Sequence, residues 1–290
     1  MGDRLSVVAV DWSGRRRGER RAIWCGAARD GALVRLEDGR TRREVAEHLV
    51  ALADTDRDLV VGLDFSFSLP AWFLRARGYR TVDDLWRAAA AEGDDWCSCR
   101  EPPFWGLPGT RRPDLPSHLR ATEAAVAPVG GIRPKSTFQV SGAGSVGAGS
   151  IRGFPVLARL RAAGFAIWPF DDATPPVALE VWPRLLTGPV VKTSTDARAR
   201  HVDGLDAHIP AHLRARAIAS DDAFDAAVSA VVMARHTGAL RSLTRRDDEV
   251  TRLEGAVWVP PDQANAVSSR PTDSATRPPT SSATADESTW

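Results

Sequence analysis

The sequence predicts an α/β protein: a mixed sheet of three antiparallel strands followed by parallel ones, flanked by helices and carrying a large insertion. Three observations point there. Short apolar runs rich in β-branched residues recur early in the chain, separated by turn residues. Two of them, Leu5 to Asp11 (LSVVAVD) and Leu59 to Asp64 (LVVGLD), end in an acid, with a helical pattern between them. Strand-end acids of this kind are how open α/β sheets build sites. A late stretch, Ala219 to Arg235 (ASDDAFDAAVSAVVMAR), is apolar nearly all round when set on a helix, so that helix is expected to be buried.

Taken in order, Leu5 to Asp11 is the first strand, followed by the turn Trp12-Ser13-Gly14-Arg15 and a basic cluster at Arg15 to Arg17. Arg21 to Ala27 and Ala32 to Leu36 are the next two strands, and Asp30-Gly31 between them is a hairpin signal. Thr41 to Ala53 is a helix, with Thr41 and Glu44 spaced as a capping box and Val45, Leu49 and Leu52 as the stripe. Leu59 to Asp64 is the fourth strand. Phe65 to Pro134 reads as an insertion, a small irregular lobe with a helix around Val82 to Ala91 and an aromatic passage, WCSCREPPFWGLP. Beyond a glycine-rich stretch at Lys135 to Ser150, Phe154 to Ala163 is a helix. Phe165 to Phe170 and Val177 to Trp182 are strands, and Ala256 to Val259 is a last short one. From Pro261 on, Ser, Thr, Pro and Ala dominate, so a disordered tail over 261–290 is expected after one domain over 1–260.

Composition narrows the class. With 43% hydrophobic and 26% charged residues, the chain suits one large globular domain rather than a disordered or membrane protein. A net charge of +1 removes any argument for nucleic acid from bulk charge. Among the basic residues only Lys135 and Lys192 are lysines, a skew that fits codon bias, so arginine richness carries no weight. Three cysteines make no disulfide framework, and no secretory signal or membrane-length apolar run is present. A reducing cytoplasm and no membrane partner are expected.

The late helix holds the most informative acids. Ser220 is a good N-cap, and Asp221 and Asp222 suit the positive end of the helix dipole. Capping leaves Asp225 unexplained, because it lies a turn further in on a stripe of small and apolar residues. A lone carboxylate is costly to bury there, and three acids in five positions repel one another. A divalent cation, held with acids from elsewhere, relieves both problems. Asp11, Asp64 and the apolar-flanked Glu180 are the candidate partners, making Asp11, Asp64, Asp222, Asp225 and Glu180 a candidate Mg²⁺ or Mn²⁺ ligand set. Such a set suits phosphoryl transfer or hydrolysis, in which paired ions activate water and stabilise the leaving oxygen. The glycine-rich stretch is either a hinge or a phosphate-contacting loop, with Lys135, Ser145 and Gly147 as candidate substrate contacts; it lacks the lysine of a Walker A loop after its glycines. Cys97 with Cys99, and His208 with His212 across Pro210, are weak metal signals with no second pair.

These motifs carry a family resemblance. The order β–β–β–α–β with Asp11 and Asp64 at strand ends resembles the ribonuclease H-like fold, and Asp222-Ala-Phe-Asp225-Ala resembles the late helix of RuvC-type Holliday junction resolvases. VAVDWSG, VGLDFSFSLP, GSVGAGSIRGFPVLARL, IWPF, LEVWP and DDAFDAAVSA together look like the domain of unknown function 429 family, over roughly residues 5–240. That resemblance implies a nuclease of ribonuclease H-like fold. Asp11 would be the first-strand metal ligand, Asp64 the fourth-strand acid, Asp222 and Asp225 the helix pair, and Glu180 would fall in the family's E-x-x-P strand motif. An Asp at position 64, where RuvC-type enzymes usually carry Glu, and the insertion are departures, so the substrate does not carry over.

The leading expectation is thus a metal-dependent nuclease acting on DNA or RNA, with Asp11, Asp64, Asp222 and Asp225 catalytic. Two alternatives stand beside it: an actin-like or sugar-kinase-like phosphotransferase, against which no second repeat of the core is found, and a nucleic-acid-binding module without turnover.

Overall fold

A computed structural model describes residues 5–205 and 207–263. In chain order its elements are β1 (Ser6–Asp11), α1 (Glu19–Ala22), β2 (Trp24–Arg29), β3 (Ala32–Glu37), α2 (Arg42–Thr55), β4 (Leu59–Leu63), α3 (Ala71–Ala76), α4 (Val82–Ser98) and α5 (Ala121–Ala125). There follow α6 (Gly147–Ala162), β5 (Ala166–Trp168), β6 (Val177–Glu180), α7 (Pro183–Thr187), α8 (Thr195–Asp203), α9 (Ala211–Ala217), α10 (Asp221–Arg235), α11 (Thr237–Arg241) and α12 (Glu249–Glu254). The strands form one mixed sheet in the order β3-β2-β1-β4-β6-β5. The β1–β2 and β2–β3 pairs are antiparallel; β1–β4, β4–β6 and β6–β5 are parallel. The expected α/β class and the change from antiparallel to parallel pairing are both present.

Strand alternation divides the core into two layers. Val8, Val10, Val61, Leu63, Ile167 and Ala178 face α2, α4 and α6, packing against Leu49, Trp86, Phe154 and Leu157. Val7, Ala9, Val60, Val177 and Leu179 face α10, packing against Phe224, Ala227, Val231 and Met233. Phe67, Phe73, Trp86, Trp96 and Phe104 belong to the first layer, so the segment read as an insertion with its own lobe contributes to the main core.

Local chemistry explains most element ends. Asp30 and Gly31 both take positive φ, 53° and 78°, as a two-residue turn twisted to match its strands requires. The Thr41–Glu44 capping box is formed. Other expectations need correction. β1 and β2 are joined not by a tight turn but by a longer connection carrying α1, which takes Arg21 and Ala22 out of the expected second strand. α6 begins at Gly147, seven residues before its expected start, because its glycines serve helix packing rather than a loop. A Cβ on Gly153 would lie 2.4 Å from the Phe65 ring. Around Ala256 to Val259 the only pairing among the described residues is a single parallel bridge from Val257 to Glu180. Pro261 to Gln263 form one helical turn; the remainder of the expected tail lies outside the described residues.

α10 sits directly on the sheet. A Cβ on Gly26 of β2 would lie 2.4 Å from the carbonyl oxygen of Ala226. Gly26→Ala is therefore expected to push α10 outward and cost roughly 1–3 kcal/mol, as overpacking does. A denaturant melt checks this, and an unchanged midpoint would mean that helix and strand part freely.

Candidate metal centre

Sheet register places the first two acids. β1 and β4 run parallel with Val10 opposite Leu63, and Asp64 N–H donates to the Val10 carbonyl at 3.1 Å. Asp11 and Asp64 are thus the next positions on neighbouring strands. Both continue the rows that face α10, Val7-Ala9 and Val60-Gly62. The turn after Asp11 is held in place: Arg42 Nη1 donates to the Ser13 carbonyl at 2.9 Å, Arg152 Nη1 to the Gly14 carbonyl at 2.5 Å, and Trp12 Nε1 to the Gly149 carbonyl at 3.1 Å.

α10 brings the other two. Its N-cap Ser220 accepts from Ala223 N–H at 3.0 Å, fixing where the helix begins. From there Asp222 and Asp225 come near enough to Asp11 and Asp64 to act on their protonation. Asp11 is only 8% exposed. Burial pushes its carboxyl well above the usual range, and Asp225, Asp64 and Asp222 push it further, while Lys192 opposes them. Burial raises Asp64 to about 8, with Asp225 adding to the rise. Asp222 and Asp225 are also raised, burial again being the main cause. Among the described residues no donor reaches the side chains of Asp11, Asp64 or Asp222. Asp225 Oδ2 accepts from Lys192 Nζ at 2.6 Å, whereas its buried Oδ1 has no partner.

Asp11, Asp64 and Asp222 open into a cleft of about 280 Å³ that Trp12, Lys135, Ser145 and Trp182 also line. Lys135 and Ser145, expected as substrate contacts, thus line the same cleft as the acids. Gly147 does not serve as expected. Its N–H donates to the Gln139 carbonyl at 2.9 Å, and a Cβ there would lie 2.3 Å from the Thr137 carbonyl. This glycine exists for close packing, and its N–H is not free for phosphate.

Glu180 lines the same cleft but departs from the ligand role expected of it. It is paired in register with Leu63, so alternation points it to the sheet face opposite Asp11 and Asp64. There the fully buried Arg120 takes both its oxygens, and Phe67 N–H donates to Oε2 at 2.9 Å. Arg120 also binds Glu123 Oε1 at 2.8 Å and the Glu254 carbonyl at 2.8 Å. Burial alone would push Arg120 down, but Glu123 and Glu180 more than offset it, so the guanidinium stays firmly charged. Glu180 still adds to the charge felt by Asp64. Its own partner is an arginine rather than a metal ion.

Among the described residues no group of three or more His, Cys, Asp or Glu side chains stands in an arrangement that could hold a metal ion. This covers Cys97 with Cys99, and also His208, whose Nδ1 contacts the Gly31 carbonyl at 2.9 Å. The donor chemistry at Asp11 and Asp64 nevertheless suits a hard cation. The donors are carboxylate oxygens, desolvated, mutually repelling and unpartnered, and Asp225 Oδ1 is a buried acceptor with nothing to accept from. A cation would draw these groups together from an arrangement that is not yet a closed ligand set.

Arg120 and Lys192 are the functional neighbours that sequence reasoning missed. Nothing in the local sequence marks Arg120. Lys192 carried a signal in being one of only two lysines. No protein-family model, no curated protein and no solved structure matches the chain. No helix among the described residues is long and apolar enough to cross a membrane.

Proposed function

We propose that the chain is a metal-dependent nuclease of ribonuclease H-like fold, hydrolysing phosphodiester bonds of DNA or RNA. The observation that carries this reading is the placement of Asp11 and Asp64 side by side on one sheet face, under the acidic start of α10, raised in pKa and without partners. The strand order, with three antiparallel strands leading into parallel ones, supports the same fold. Asp11, Asp64 and Asp225 would hold the cation, with Asp222 at the rim. Bound Mg²⁺ or Mn²⁺ would supply Lewis-acid polarisation of a phosphoryl oxygen and a more acidic water.

The chain's own residues supply the rest. Lys135 is exposed at the cleft rim and offers a positive charge to a substrate phosphate, and Ser145 lies beside it with a hydroxyl that can donate. Trp12 and Trp182 wall the cleft, limiting water around the acids. The exposed Arg15 to Arg17 follow the turn after Asp11, and Arg15 already acts on Asp222, so a polyanion would meet positive charge as it entered. The phosphotransferase alternative gains nothing here, since the described residues contain one sheet and no second copy of it.

A cleavage screen over single strands, duplexes, hybrids and junctions, with Mn²⁺, Mg²⁺ or EDTA, tests the reading. The expected result is cleavage of at least one substrate that EDTA and Asp11→Asn both abolish. Binding without cleavage would favour the non-catalytic module, and ATP-dependent turnover the phosphotransferase.

A further inference from the structure

We infer that the Lys192 ammonium is a fixed cation of the acidic centre, standing where a second metal ion would otherwise be, so that the site takes one divalent ion per chain. The inference rests on the metal-centre reading above and specifies its stoichiometry.

The first ground is geometry. Lys192 Nζ lies 2.6 Å from Asp225 Oδ2, and both side chains are largely buried, at 12% and 13% exposed. This is a committed ion pair, unlike the solvated pairs at the surface. It uses one of the two oxygens that Asp225 could offer a metal. The other, Oδ1, is buried and unpartnered. Asp225 therefore has one oxygen left to offer a further cation.

The second ground is the scaffold behind the lysine. Arg198, 5% exposed, donates through Nη1 to the Lys192 carbonyl. Its Nε and Nη2 bind the Ile218 carbonyl at 3.0 and 2.8 Å, two residues before the N-cap of α10. Arg184 Nη1 holds the approaching segment through the Val190 carbonyl at 2.7 Å. A buried arginine thus locks the backbone of Lys192 to the start of the helix that carries Asp225. A side chain present only for surface charge needs no such anchoring.

The third ground is residue choice. The chain uses arginine for nearly all its positive charge, yet this position is lysine. An ammonium is a compact point charge, whereas a guanidinium is a broad planar fork. Only the former resembles a small inorganic cation in size. Its charge acts beyond Asp225, since Lys192 also opposes the rise in Asp11 and Asp64. With one ammonium already paired to Asp225, the remaining acids suit one divalent ion better than two.

Isothermal titration with Mn²⁺ alone on the full chain tests this, with no substrate and no turnover involved. Wild type is expected to bind one Mn²⁺ per chain. Lys192→Met, which keeps the length but removes the charge, should free Asp225 and bind a second ion, and Lys192→Met with Asp225→Asn should return the count to one. A purely structural lysine would leave the stoichiometry alone. Two ions in wild type would overturn the inference while leaving the metal centre standing, and so would a Lys192→Met protein that folds and still binds one. No Mn²⁺ bound to wild type would remove the metal reading and the inference together. If Lys192→Met does not fold, the wild-type count decides alone.

Discussion

Metal-free Asp11→Asn protein is expected to melt at a higher temperature than metal-free wild type, although the change strikes the centre of the proposed site. Asp11 is buried, accepts no hydrogen bond among the described residues, and feels Asp225, Asp64 and Asp222 more than it feels Lys192. Ionising it in place, or holding its proton against a neutral solvent, therefore opposes folding. An unsatisfied buried polar group costs about 1–3 kcal/mol. Asparagine removes the ionisable group, and its amide can donate to a neighbouring carboxylate. At about 2–4 °C per kcal/mol for a chain approaching this size, the gain should be at least ~2 °C.

The effect has a pH signature. Below about pH 4 an ordinary aspartate is protonated in the unfolded chain, and a raised one is protonated in the folded chain too, so nothing is lost. As pH rises above that, the unfolded chain releases its proton while folded Asp11 retains it, and stability falls. Asp64, raised to about 8, adds a fall of the same sign up to that pH. The melting gap between Asp11→Asn and wild type should therefore widen from pH 5 towards pH 8 in EDTA. A gap that narrows over that range would mean that Asp11 is stabilised as an anion by a partner.

Arg120→Ala is expected to be the most destabilising single change away from the acids. The guanidinium has no exposed surface and joins Glu180, Glu123 and the Glu254 carbonyl. Those contacts tie the end of β6 to α5 and α12. Its removal strands two buried carboxylates. Ser66 Oγ at 2.9 Å from Glu123 and Phe67 N–H on Glu180 cannot compensate for the lost charge. Breaking one side of a buried ion pair costs roughly 3–5 kcal/mol, which corresponds to a melting drop of roughly 6–20 °C. Arg120→Met with Glu180→Gln and Glu123→Gln should recover part of the loss, because no net charge is then left buried. A triple variant no better than Arg120→Ala would show that the arginine matters for packing instead.

How far the sequence revealed these features depended on how local their causes are. The hairpin at Asp30-Gly31, the Thr41–Glu44 box and the Ser220 cap are set by residues within a few positions, and all three are present. The strand-end acids were legible because β1 and β4 are short apolar runs that stop at Asp11 and Asp64. Glu180, expected among the metal ligands, instead meets Arg120 60 residues back, a partner that no pattern announces. Lys192 meets Asp225 across 33 residues for the same reason. Gly147 is hard to place from sequence because a glycine selected for close packing against Thr137 looks like one selected for a flexible loop.

The most direct test of the central claim is a pair of thermal melts, wild type and Asp11→Asn, each in EDTA and in Mn²⁺. A cation bound only by the folded state stabilises it by RT ln(1 + [L]/Kd), about 2.7 kcal/mol at a hundredfold excess over Kd. Wild type should accordingly gain several degrees in Mn²⁺, and Asp11→Asn, already raised in EDTA, should gain much less. Equal shifts in the two proteins, or none in either, would contradict a metal centre built on Asp11.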